Sequence, residues 1–396
     1  MKQTRLLPLL CLLLASLSVF GQKKTEFKGV VKGKTTASII IQHGPVSHFG
    51  GNGEPKMDTI PVRDGKFSIT LNLSEPEYVT AIPEAGIRHR GNKRGPYWGF
   101  AMRAAFFIFP GERLSLKTEL LADRWSVNAK GNKMAQTATT LRQANLNDYV
   151  AFDSLEMQLD KAKQNGLSKN ETNKLFEERN KRRAPARERL KEYATTHLDE
   201  EYSLFLLIKS GGPALVAKYY DQIPENIRSG LFGDFLRKAL KRGKRNTRMD
   251  KAKKLLVAGA KAPDFELESL DGKKVALSGI KADYIVLDFW GSWCGWCTKE
   301  FPELKKCHTK YGDRIKIVGV DCFDGKKAWK DAVEKHELPW LQLYNDRESE
   351  NPIDVMYGVT NFPTKVILDK ELNIVARYKG ADPAFFKKLD ELMGGS

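Results

Sequence analysis

Asp288–Pro302 reads DFWGSWCGWCTKEFP, and this stretch decides the fold of the last third of the chain. Cys294 and Cys297 follow the apolar run Tyr284–Trp290 closely, and a charged, helix-like pattern follows them. A run such as YIVLDFW, dense in β-branched and aromatic residues, predicts a buried central strand. The cysteines therefore fall where a strand ends and a helix begins. The free N–H groups and positive dipole end of a helix stabilise an anion. A thiolate held there has a lowered pKa and is a usable nucleophile near neutral pH. Cys297, one turn inside the helix, can close onto Cys294 as a disulfide. The stretch points to thiol–disulfide exchange.

A chain of 396 residues predicts two or three domains. Its first residues are expected to lie outside the fold. Lys2 and Arg5 form a basic start, Leu6–Phe20 an apolar run, and Val19-Phe20-Gly21 a small-residue cleavage site. This pattern predicts a signal peptide over residues 1–21 and export to the periplasm. The run is short for a membrane span. Cys11 follows Leu9 and Leu10, the wrong setting for a lipid-bearing cysteine. Without Cys11 the cysteines are Cys294, Cys297, Cys307 and Cys322, all in the last third. A disulfide-stapled scaffold would spread them out. One close pair in an oxidising compartment suits a redox catalyst.

The formal net charge is +17. The densest basic run, Arg237–Lys254 (RKALKRGKRNTRMDKAKK), has no aromatic residues, so it does not read as a nucleic-acid stacking platform. It is expected to be a solvated helical face and linker, with contact to an anionic envelope surface as the alternative.

Residues 22–131 carry short β-type runs (FKGVV, ASIIIQ, KFSITLNL, YVTAI, AAFFIF, LSLKT) between turn residues. Asp64-Gly65, followed by alternating Phe67, Ile69, Leu71 and Leu73, is the clearest hairpin signal. A β-sandwich-like domain is expected there. Its histidines, His43, His48 and His89, lack partners at metal-ligand spacing and read as surface or loop residues. Residues 132–256 place apolar residues at three- and four-residue intervals, an α-helical domain without a catalytic constellation. Residues 257–396 alternate strands and helices and end in a hairpin and a helix, an α/β mixed sheet covered on both faces.

This last domain resembles thioredoxin-like proteins, most closely the exported TlpA/ResA-type thiol–disulfide oxidoreductases. APDFEL with its downstream DGK, FWGSWCGWCTKEFP and GVTNFPTKVILDKELNIV carry the resemblance, in that order, over about Ala258 to Met393. The preceding region resembles the β-domain and helical segment found before such modules in Bacteroidota envelope proteins. The resemblance implies a redox-active disulfide, Cys294–Cys297, and no other cofactor or metal. It makes Cys294 the exposed nucleophile and Cys297 the resolving thiol. Pro363 matches the cis-proline facing the pair, leaving the Phe362 backbone free for an extended substrate. Asp288 matches a buried acid, and Glu300 an acid that tunes the cysteines. Both are candidate proton carriers. Trp290, Trp293 and Trp296 are expected at the rim and docking surface. The implied partners are protein disulfides and a membrane electron donor.

Zinc would want a second cysteine pair at similar spacing, and Cys307 and Cys322 do not supply it. Gly295-Trp296 between the cysteines offers no histidine or lysine to stabilise a thiolate, which favours a reducing role. Two alternatives compete with it. One is an envelope binding module with an accessory redox domain. The other is a thiol peroxidase, whose threonine and proline ahead of the cysteine are missing here.

Overall fold

The computed structural model describes residues 21–48, 53–89 and 95–394, so the expected signal segment lies outside the described residues except for Gly21. Two compact units divide the chain: Met1–Ser210 with Gln222–Gly233, and Gly211–Asp221 with Asp234–Ser396.

The first unit contains two four-stranded sheets. One runs in the order Trp125–Lys130, Arg113–Leu120, Lys23–Gly33, Lys66–Leu73; the other Lys56–Pro61, Ser38–Pro45, Glu77–Pro83, Ala104–Ile108. Alternation builds the core: Arg113–Leu120 buries Leu114, Leu116, Thr118 and Leu120 and exposes residues between them. Phe27 lies 5.5 Å from Phe67 in its own sheet and 5.6 Å from Phe106 of the other, measured between ring centroids. Asp64 and Gly65 both take positive φ, the geometry of a tight hairpin turn. Helices Lys133–Ala144, Leu146–Gln164 and Lys169–Thr196 follow.

His43 differs from the surface residue expected. It is buried, with Nε2 2.8 Å from the Asp58 carboxylate and Nδ1 against Glu77. The Glu77 bond, opposed by burial, holds its pKa above the usual range. Cross-strand pairing brings these groups together: His43 stands opposite Val79, two residues from Glu77.

In the second unit a seven-stranded sheet runs Lys274–Ala276, Glu266–Ser269, Leu341–Tyr344, Ile315–Asp321, Tyr284–Trp290, Thr364–Asp369, Ile374–Lys379. Tyr284–Trp290 is central, parallel to Ile315–Asp321 and antiparallel to Thr364–Asp369. Its alternating side chains feed two cores. Val286 and Trp290 join Cys294, Cys297 and Phe301 on one face; Ile285, Leu287 and Phe289 join Val318, Val320 and Cys322 on the other. Burial on both faces explains why the strand reads as a continuous apolar run.

Helix Gly233–Leu255, which carries the basic run, packs within this unit. Gly243 passes so close to the Pro213 carbonyl that a Cβ would sit 2.1 Å from it, so only glycine fits. The expected solvated basic face is present, with eight of the run's ten Lys and Arg exposed, but part of it is also engaged. Arg245 pairs with the fully buried Asp354, Lys241 with Glu348. Arg248 donates to the Glu350 carbonyl at 2.9 Å and to Asn351 Oδ1 at 2.6 Å. Three of the run's ten Lys and Arg thus contact the segment 348–354.

Candidate active site

Cys294 is the N-cap of helix Gly295–Tyr311, and it is disulfide-bonded to Cys297. The Cys297 N–H donates to Cys294 Sγ at 3.2 Å, so a free donor of the helix's first turn already points at that sulfur. Both cysteines are buried in this oxidised state, Cys294 at 5% exposure. The exposed nucleophile the sequence suggests therefore lies beneath the rim. The Phe362–Pro363 peptide is cis, and Phe362 packs against the core cluster that contains the two cysteines. Among the described residues no hydrogen bond uses the Phe362 backbone N–H or C=O.

Three aromatic side chains meet beside the disulfide. Trp293, 53% exposed, lies edge-on to Phe362 at 5.2 Å, and Phe323 packs on Phe362 at 5.5 Å. The Trp293 indole donates to the Cys322 carbonyl at 3.0 Å, which fixes its orientation. Trp296 stands further out, 63% exposed. Trp290 does not belong to this rim. It is fully buried edge-on to Phe301 and donates to Gln342 Oε1 at 3.0 Å. Period-two alternation along the strand turns it inward with Val286. Ser292 ties its loop down, giving its N–H and hydroxyl to Asp324 at 2.6 and 2.7 Å.

The expected acids meet a cation that sequence reading missed. Lys365 is 2% exposed, and its Nζ lies 2.5 Å from Glu300 Oε2 and 3.9 Å from Asp288 Oδ1. Register makes the contact: Asp288 and Lys365 are direct partners on adjacent antiparallel strands. Glu300 reaches the same point from the redox helix. Asp288 is fully buried, and Oδ1 has no hydrogen-bond partner among the described residues. Burial, opposed by Lys365 and helped by Glu300, pushes its carboxyl up to about 6. An acid titrating there can hold or release a proton at neutral pH. The signal for Lys365 was a lone charge inside KVIL, matching the lone charge inside YIVLDFW.

The remaining thiols are poor nucleophiles. Cys322 is fully buried and burial pushes its thiol well up; Cys307, half-buried, is pushed up to about 11. Asp321, fully buried at the end of the neighbouring strand, is pushed up to about 9 by burial and then by Asp324. Among the described residues no cluster of three or more ligating side chains could hold a metal ion. No described helix is long and apolar enough to cross a membrane.

Over this domain the chain is similar to several known proteins. A profile of the AhpC/TSA family matches residues 258–378. A thiol-disulfide oxidoreductase ResA of Bacillus thuringiensis is 32% identical over 123 residues, 31% of this chain and 69% of that protein. The thioredoxin-like protein YneN of Bacillus subtilis is 31% identical over 116 residues, 28% of this chain and 66% of YneN. The crystal structure of a thioredoxin domain from a Bacteroides vulgatus thiol-disulfide oxidoreductase covers 35% of this chain and 98% of that one. It is 28% identical, with a TM-score of 0.33. Through its C-terminal domain the chain belongs to the thioredoxin-like thiol–disulfide oxidoreductases, the family of ResA.

Proposed function

We propose that this protein is an exported, periplasmic oxidoreductase that reduces disulfides in protein substrates, with Cys294–Cys297 as its redox group. The observation that carries the reading is the N-cap placement of Cys294, whose sulfur takes the Cys297 N–H at 3.2 Å. In the reduced protein the same donor and the helix dipole would stabilise a Cys294 thiolate. That thiolate attacks one substrate sulfur, forms a mixed disulfide and expels the other sulfur as a thiolate. Cys297, once deprotonated, attacks Cys294 Sγ, releases the second substrate thiol and leaves the disulfide seen here. Two electrons pass to the substrate. A dithiol donor at the membrane returns them in the next cycle.

Asp288 takes the Cys297 proton in this scheme, and Glu300, paired with Lys365, carries the neighbouring charge. Trp293, Trp296 and Phe362 receive the substrate, with the unpaired Phe362 backbone beside Pro363 docking an extended segment. The absence of a histidine or lysine between the cysteines supports the reducing direction.

The test is trapping. Cys297→Ser should accumulate mixed disulfides through Cys294 in periplasmic extracts, and Cys294→Ser should accumulate none and lose insulin reduction. A Cys297→Ser protein that traps nothing, alongside a Cys294→Ser protein that still reduces insulin, would sink the reading.

A further inference from the structure

The charges around the aromatic rim are unevenly spent. Lys299 places its Nζ 4.6 Å from the centre of the exposed Trp296 ring. Arg347 places its guanidinium 4.6 Å from the Phe323 ring, and Arg245 lies 5.7 Å from the same ring. Phe323 touches both Trp293 and Phe362, so this second cationic group borders the surface assigned to substrate. Among the described residues neither Lys299 nor Arg347 has an ion-pair partner, and both are exposed.

The nearby acids are mostly occupied. Asp354 is held by Arg245, Glu348 by Lys241 and Glu300 by Lys365. Asp324 accepts both Ser292 donors. The exposed Asp346 accepts the Glu348 N–H at 3.0 Å, and among the described residues neither it nor Asp324 has an ion-pair partner. The helix N-terminus adds its own positive field beside the cysteines. An aromatic face under each free cation pre-orders it at small entropic cost.

We propose that this rim selects extended polypeptide segments whose disulfide-bonded cysteine is flanked by acidic side chains. The inference rests on the oxidoreductase reading above and adds its substrate class. It has a chemical rationale beyond attraction. Acidic neighbours raise a thiol's pKa and make it a poorer leaving group, so such disulfides react slowly with small anionic thiols. Lys299 and Arg347 offset that penalty, by neutralising the flanks as the substrate thiolate departs. Segments of this kind are therefore ones that a small-thiol pool reduces poorly.

The experiment uses full-length protein, reduced with dithiothreitol and desalted. Three disulfide peptides of equal length carry two Glu, two Gln or two Lys beside the cysteine. Reduction is followed by stopped-flow tryptophan fluorescence at low salt and at 0.5 M NaCl, with glutathione as the reference thiol. Expected is the order Glu, Gln, Lys at low salt, with about tenfold between the extremes, collapsing at high salt. Glutathione should give the opposite order. A Lys299→Glu/Arg347→Glu variant should invert the protein's order, read as the ratio of each charged peptide to the Gln peptide in the same preparation. Equal rates for all three peptides, or a variant with the wild-type order, overturns the proposal while leaving the exchange reading standing. Failure to reduce even the Gln peptide overturns both.

Discussion

Lys365→Met should destabilise the redox domain by about 3–5 kcal/mol in urea denaturation at pH 8, a large share of a domain's usual 5–15 kcal/mol. The reason lies in what methionine leaves behind. Lys365 is enclosed, 2.5 Å from Glu300 and 3.9 Å from Asp288, with its Nζ 5.2 Å from the Phe385 ring centre. Removing the ammonium strands carboxylates in a site with little water to solvate them. Asp288, whose carboxyl Lys365 holds down against burial, would protonate at still higher pH. The loss should therefore shrink at pH 5, where protonation discharges that acid cheaply. A second variant separates charge from packing. Lys365→Met combined with Glu300→Gln should recover a large part of the loss, because a buried pair replaced on both sides is far less costly than one broken on one side. A single-variant cost below about 1 kcal/mol, or a double variant no better than the single, would show that Lys365 does not neutralise these acids.

That lysine marks the boundary of what the amino-acid pattern makes legible. Cys294, Cys297 and the strand before them are readable because their signals are local: a buried strand, a break, a helix start. Helix Gly295–Tyr311, the strand Thr364–Asp369 and the alternating strands of the first unit are readable for the same reason. The Asp288–Lys365 contact depends on register between strands some seventy residues apart in sequence, which no local period encodes. The same holds for His43 between Asp58 and Glu77. Phe323 escaped notice because it follows a strand end and gains its place only when the loop beside Trp293 folds back. The basic run is legible as a mostly exposed face but not in its contacts. Its composition fits a solvated face, and only the tertiary position of Asp354 and Glu348 turns Arg245 and Lys241 into a clamp.

Asp288→Asn should separate stability from catalysis, raising the first and lowering the second. The carboxyl sits at about 6 in the folded protein against about 3.9 in an unfolded chain. Below pH ~4 both states hold the proton and the group contributes no difference. Between about 4 and 6 the unfolded chain releases its proton while the folded one retains it. Wild-type stability therefore falls as pH rises through that window, by about 1.4 kcal/mol per unit and roughly 3 kcal/mol in all. Asparagine has no proton to retain. The variant's advantage should thus grow from near its baseline at pH 4 to a plateau of about 2–3 kcal/mol above pH 7, once the lost attraction to Lys365 is allowed for. Catalysis should move the other way. Without Asp288 as the proposed base, the Cys297 proton must leave to water, and resolution of the mixed disulfide should slow by about 100-fold at pH 7. The pH–rate profile distinguishes this from a loss of shape: the wild-type step near pH 6 should disappear in the variant, and rising pH should restore much of its rate by ionising Cys297 directly. A variant that keeps the step near pH 6, or whose stability tracks wild type from pH 4 to 8, would remove Asp288 from the proton path.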